Sequence, residues 1–129
     1  MPVRRKLYIF QALVLSKLLY GIAACCFTAA QLRRVNGFPA KCVRQILGIS
    51  HSFYSRVSNA EVLRRAGVKL ATDVLAEQQL TQLGKVLRAP HTSALHSSTL
   101  TAGTLEPATS FFIRRRGRPR KEWATTVLQ

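Results

Sequence analysis

The chain has 129 residues, 47% of them hydrophobic, with 20 Lys and Arg against 5 Asp and Glu and a formal net charge of +15. The length fits one domain and leaves no room for two of ordinary size. The charge excludes an ordinary neutral surface and points to an anionic partner, nucleic acid ahead of an acidic membrane. The imbalance is steepest at the start: no acid precedes Glu61, while residues 1–60 carry nine Lys and Arg.

Residues 5–24 read as a helix that is apolar nearly all round, with Leu7, Phe10, Val14 and Leu18 along one stripe and Lys6 and Lys17 on a common face. Such a helix needs burial on several sides. A basic start before an apolar run also fits a signal segment or a membrane span. Lys17 stands in mid-run, where a lysine costs about 2.5–3.5 kcal/mol on insertion scales, and this disfavours membrane insertion.

Thr28 is a capping residue for a second helix to about Leu47, which Gly48 stops. Leu32, Val35, Cys42, Val43 and Ile46 supply its apolar side, and Arg33, Gly37, Lys41 and Arg44 fall on one basic face. Pro39 lacks the N–H that would bond the carbonyl of Val35, so a kink or break is expected near Gly37–Pro39. Residues 49–57 read as a connection. Ser58 with Glu61 has capping-box spacing for a short third helix ending at Gly67. A fourth runs from about Leu70 to Arg88, with Leu75, Leu80, Leu83 and Leu87 as its apolar stripe, and Pro90 closes it. Residues 91–110 are rich in Ser, Thr and Ala without periodicity and read as a linker. Phe111, Phe112 and Ile113 form a small apolar patch, and residues 119–128 allow a last helical turn or two around Trp123. No internal repeat is present.

Catalysis finds little support. No two of the five acids are spaced to aim at one metal or substrate, no Gly-rich phosphate loop is present, and Ser and Cys lack a His and acid partner set. His51, His91 and His96 lie in predicted loops and are expected to be solvated. Cys25, Cys26 and Cys42 have no metal-ligand spacing and are expected as buried, reduced thiols. Neither a metal nor a cofactor is expected.

The strongest local signal is residues 114–123, RRRGRPRKEW. Arg-Gly-Arg-Pro in a basic setting resembles an AT-hook: narrow, strongly negative minor grooves attract inserted arginines, here Arg116 and Arg118. Gly117 allows close backbone approach and Pro119 keeps the strip extended. The same run also fits a solvated charge cluster that meets phosphates without selectivity, or a nuclear import signal.

Taken in order, KLYIFQALVLSKLLYG at 6–21, LRRVNGFPAKCVRQILGIS at 32–50, SNAEVLRRAG at 58–67, QLTQLGKVLRAP at 79–90 and RRRGRPRKEW at 114–123 resemble the region that follows the polymerase core in reverse transcriptases of non-LTR retrotransposons. Leu18, Leu19, Tyr20 and Gly21 match the end of that family's hydrophobic helix. Val43, Arg44, Ile46, Leu47, Gly48 and Ile49 match its Leu-Arg-x-Ile-Leu-Gly-Ile pattern. Asn59, Glu61, Val62, Leu63 and Arg65 match an Asn-x-Glu-Val-Leu-x-Arg segment. Gly84, Val86, Arg88 and Pro90 match Gly-His-Val-x-Arg-x-Pro, and Gly117, Arg118, Pro119 and Trp123 match a terminal Gly-Arg-Pro-x-x-x-Trp. There are departures. Lys85 replaces the family's usual His, Cys25 and Cys26 stand where a Trp commonly follows, and Pro39 falls within a helix that the family runs through.

The expected fold is mainly α: three to four helices in a small irregular bundle over residues 5–89, a flexible linker at 90–113 and a flexible basic tail at 114–129. The resemblance implies a thumb-like piece of an RNA-directed DNA polymerase without its active site, non-catalytic by itself, with an upstream polymerase domain as a partner; the expected location is the nucleus, with mitochondrion or membrane as alternatives. In the intact family the thumb holds the template–primer duplex. Arg33, Arg34, Lys41 and Arg44 are the expected contacts to the backbone of duplex DNA or an RNA–DNA hybrid. Arg114, Arg115, Arg116, Gly117, Arg118, Pro119, Arg120 and Lys121 form an additional clamp. The alternatives are an AT-hook protein and a signal-anchored or membrane-surface protein.

Overall fold

The computed structural model describes residues 1–108, 117 and 122–128. Among these the secondary structure is helical apart from one isolated antiparallel bridge between Leu100 and Pro107, so the chain is mainly α as expected. Two compact units form, one from residues 1–22 and 27–75, the other from 23–26 and 76–129.

In the first unit, α1 (Val3–Ile9) runs into a π-helical stretch (Phe10–Leu15) and on into α2 (Ser16–Leu19). The wider i→i+5 winding of the π stretch shifts the phase of the apolar stripe. Phe10 is buried and Leu7 and Leu15 pack around it, while Val14, expected on the inner stripe, is 36% exposed. The run also ends earlier than expected. Tyr20 turns to extended backbone, Gly21 has φ 74°, and a short 3-10 turn follows at Ile22–Ala24.

The long helix α3 (Ala29–Leu47) begins with a full capping box: Thr28 Oγ1 accepts from Gln31 N, and the Gln31 side chain accepts from Thr28 N. It ends at Gly48, whose φ of 69° is the left-handed cap conformation. The expected break at Pro39 does not occur; the helix runs through it. An interior proline costs roughly 3 kcal/mol. Here the ring is fully buried and its neighbours Ala40 and Val43 are both 0% exposed, so packing offsets the lost backbone bond. The segment expected as a plain connection contains a one-turn helix, α4 (Ser52–Ser55), capped by the His51 side chain. Then α5 (Asn59–Ala66) starts at Ser58, whose hydroxyl accepts from Glu61 N, and stops at Gly67 with φ 64°. Its Val62 and Leu63 join Phe10, Ala40, Val43 and Val68 in the core of this unit.

The next helix, α6 (Ala71–Arg88), has no capping side chain of its own at Leu70. Asn36 of α3 supplies one: Thr72 N donates to Asn36 Oδ1 at 3.1 Å while Asn36 Nδ2 donates to Thr72 Oγ1 at 3.0 Å. The expected leucine stripe of α6 is half right. Ala71, Leu75, Leu83 and Val86 are buried, but Leu80 and Leu87 are 57% and 45% exposed. At about 100° per residue both lie more than a quarter-turn from the line through Leu75 and Val86.

In the second unit the expected linker is partly structured. It holds α7 (Ala94–Ser97), capped by Ser93, and the Leu100–Pro107 bridge. Leu100, 1% exposed, packs with Val86, Ala124 and Trp123. The last helix, α8 (Trp123–Leu128), is fastened by Trp123 Nε1 donating to Ala23 O at 2.7 Å. The C-terminal end of the expected flexible tail is thus anchored. The cysteines depart from expectation too: Cys25 is exposed and Cys26 and Cys42 are partly buried, all three without disulfides.

Candidate nucleic-acid interface

The basic face of α3 divides into two parts. Arg33, Arg34 and Lys41 are exposed. Arg34, Phe38, Lys41 and Gln45 recur at i, i+4, i+7 and i+11, so they line one solvent-facing strip. Phe38, 47% exposed, stands between the two charges. The opposite side of α3 is held by Asn36, Ala40 and Val43, and this sets which face looks outward. All three cations lie in the acid-free first 60 residues. A strip of this kind can pair with successive phosphates and lay an aromatic ring between them, which positions a nucleic acid without reading its sequence.

Arg44 does not belong to this strip, and its assignment as a backbone contact is corrected. It is 6% exposed. Its Nε and Nη2 donate to Asn59 Oδ1 at 3.2 and 3.1 Å, and Nη1 donates to Ser50 O at 3.0 Å and Ser55 Oγ at 3.3 Å. Nη2 also donates to Val57 O. One guanidinium therefore ties the end of α3 to residues 50–59. No carboxylate takes part in these bonds. The buried charge is satisfied by neutral oxygens fixed in place by the chain around it.

Above this clamp lies a cluster that sequence reading passed over. Phe53 and Tyr54 are 70% and 78% exposed, with ring centroids 5.3 Å apart and an interplanar angle of 89°. The Arg56 guanidinium carbon sits 5.9 Å from the Phe53 centroid. Arg56 has φ 55°, the one positive φ among the described non-glycine residues, a conformation that costs roughly 1–2 kcal/mol outside glycine. Its N–H donates to Ser52 O at 3.0 Å and closes α4. The signal available in the sequence was two aromatics and an arginine within four residues, in a stretch with no apolar period to bury them.

The histidines are only partly as expected. His51 is exposed, but His96 is 3% exposed, its Nε2 lies 3.2 Å from His91 Nδ1, and its own Nδ1 is buried without a hydrogen bond. It lies within the short helix α7, which a reading of this segment as linker could not foresee. Among the described residues no group of three His, Cys, Asp or Glu could hold a metal ion. Glu61 is the best-engaged acid: Arg64 donates to its two carboxylate oxygens at 2.8 Å and Arg65 to one at 2.8 Å, and these bonds hold its pKa down to about 2.

Of the predicted tail contacts, Gly117 is described and exposed. Arg114, Arg115, Arg116, Arg118, Pro119, Arg120 and Lys121 lie outside the described residues, as does the Phe111–Ile113 patch. The Val3–Ala24 run is long and apolar enough to cross a membrane, and little of it is buried. The chain matches no protein-family model, no curated protein and no solved structure.

Proposed function

We propose that this chain is a nucleic-acid-binding, thumb-like segment of a non-LTR retrotransposon reverse transcriptase, non-catalytic by itself, one that holds a template–primer duplex by its phosphate backbone. The observation that carries the reading is the exposed strip of α3. Arg34 and Lys41 flank the exposed Phe38 on this strip and Arg33 is exposed about a quarter-turn away, in a stretch of 60 residues without a single acid. The ordered motifs described above supply the family, and the net charge of +15 supplies the long-range attraction. The basic run at 114–121 adds a second set of phosphate contacts, and a nuclear location follows from such a partner.

Duplex binding followed by fluorescence anisotropy against salt concentration tests this. Replacing Arg33, Arg34 and Lys41 together by Ala should weaken binding to duplex DNA and to RNA–DNA hybrid alike. It should flatten the log–log salt slope by about 0.9 per lost contact. An unchanged slope in the triple variant would show that α3 does not meet the backbone.

The Arg-Gly-Arg-Pro sequence favours a second reading, an AT-hook. The two readings differ in base preference: an AT-hook binds AT-rich duplex more tightly than GC-rich duplex, whereas a backbone clamp binds them equally.

A further inference from the structure

We propose that Phe53, Tyr54 and Arg56 form a stacking platform for the unpaired bases of single-stranded nucleic acid. Phe53 and Tyr54 are adjacent, 70% and 78% exposed, and packed against each other at 5.3 Å, so two large rings stand together at the surface. Their edge-to-face arrangement turns the two ring planes nearly perpendicular. Arg56 lies close enough to the Phe53 ring for a cation–π contact and brings a positive charge into the cluster.

The platform is also held in advance of binding. Arg44 bonds Ser50 O, Ser55 Oγ, Val57 O and Asn59 Oδ1, so the chain is gripped on both sides of the aromatic pair. Ser55 Oγ in turn donates to His51 O at 3.2 Å. A cluster ordered this way loses little freedom when a ligand lands on it. The choice of ligand follows from charge and from shape. Stacking rings beside a guanidinium suit a planar group linked to an anion, and no acid lies in the first 60 residues to repel a phosphate. The nearest acid in sequence, Glu61, already pairs with Arg64 and Arg65. Bases inside a duplex are stacked on both faces, so the free π faces belong to single strands. The inference rests on the nucleic-acid reading and adds to it a site for the unpaired part of a template beside the duplex clamp on α3.

The full chain should be titrated by anisotropy against fluorescein-labelled oligo-dT, oligo-U and a duplex of equal length. The variants are Phe53→Leu with Tyr54→Leu, which keeps bulk and removes the rings, and Phe53→Trp, which enlarges one. Both positions are exposed, so circular dichroism should remain unchanged. The leucine pair should lose roughly tenfold or more in single-strand affinity while duplex affinity stays within about twofold. The tryptophan variant should bind single strands at least as tightly as the parent, with its fluorescence quenched on binding. Equal losses on single strand and duplex, or no loss on the single strand, would overturn the platform and leave the α3 clamp standing. A parent chain that binds neither form would sink both readings together.

Discussion

At the scale of single residues, Arg44 and Glu61 show two different uses of a charged side chain. Arg44 looks like a surface contact in sequence, yet in the fold it is an internal strut. Arg44→Ala would leave Asn59 Oδ1 and two backbone carbonyls short of a strong donor. Hydrogen bonds to charged groups contribute about 1.5–3 kcal/mol, and we expect a loss of stability of that order in urea melts. Duplex binding measured on the folded fraction should change little; normal stability with lost binding would return Arg44 to the interface. Glu61 acts at the surface instead. Hydrogen bonds from Arg64 and then Arg65 lower its pKa from 4.5 to about 2. Its contribution to stability is therefore present above about pH 4.5 and is lost as the pH falls towards 2. Arg64 is 75% exposed, so the effect is small and weakens further in salt. Urea midpoints of the parent and of Glu61→Gln should differ slightly at pH 6 and converge by pH 2; a constant difference across that range would mean that the ion pair contributes nothing.

At the scale of elements, the first helical run has more apolar surface than its partners cover. Phe10 enters the core, but Tyr8, Ile9, Leu13 and Val14 are 71%, 39%, 65% and 36% exposed. An apolar patch of this kind drives association. The expected stripe of Leu7, Phe10, Val14 and Leu18 holds at Phe10 and fails at Val14, which lies inside the π stretch and is left outside the core with Leu13. We expect the isolated chain to self-associate at micromolar concentration in analytical ultracentrifugation, and Leu13→Glu to shift it towards monomer. A parent that sediments as a monomer at every concentration would contradict this.

At the scale of the whole molecule, the charge of +15 makes salt the controlling variable for any nucleic-acid contact. The basic run at 114–121 precedes α8, which Trp123 fastens to Ala23. If that run meets phosphates alone, Arg118→Ala should weaken AT-rich and GC-rich duplexes equally and lower the salt slope by about 0.9. We expect this outcome, because the family reading proposed above would account for Gly-Arg-Pro followed by Trp without a hook. Gly117→Leu carries the opposite outcome: selective loss of AT-rich affinity with GC-rich affinity intact would establish minor-groove insertion.

Local signals were legible wherever one residue type has one physical use. Thr28, Gly48, Ser58 and Gly67 begin or end helices because caps and left-handed backbone are satisfied within a few residues. The mainly α class and the extent of α6 follow from the same short-range rules. Tertiary structure decided the remainder, since burial is settled by residues distant in sequence. Arg44 is interior because residues 50–59 fold over the end of α3, and Pro39 sits within a continuous helix because its ring is enclosed. Asn36 caps a helix that begins 35 residues later. Leu100 is buried because Val86 of α6 and Ala124 and Trp123 of α8 pack on it, and His96 is buried within α7, in a segment whose composition reads as linker. The exposed aromatics at 53 and 54 belong with these: their composition was visible in sequence, but only the fold shows that no core receives them.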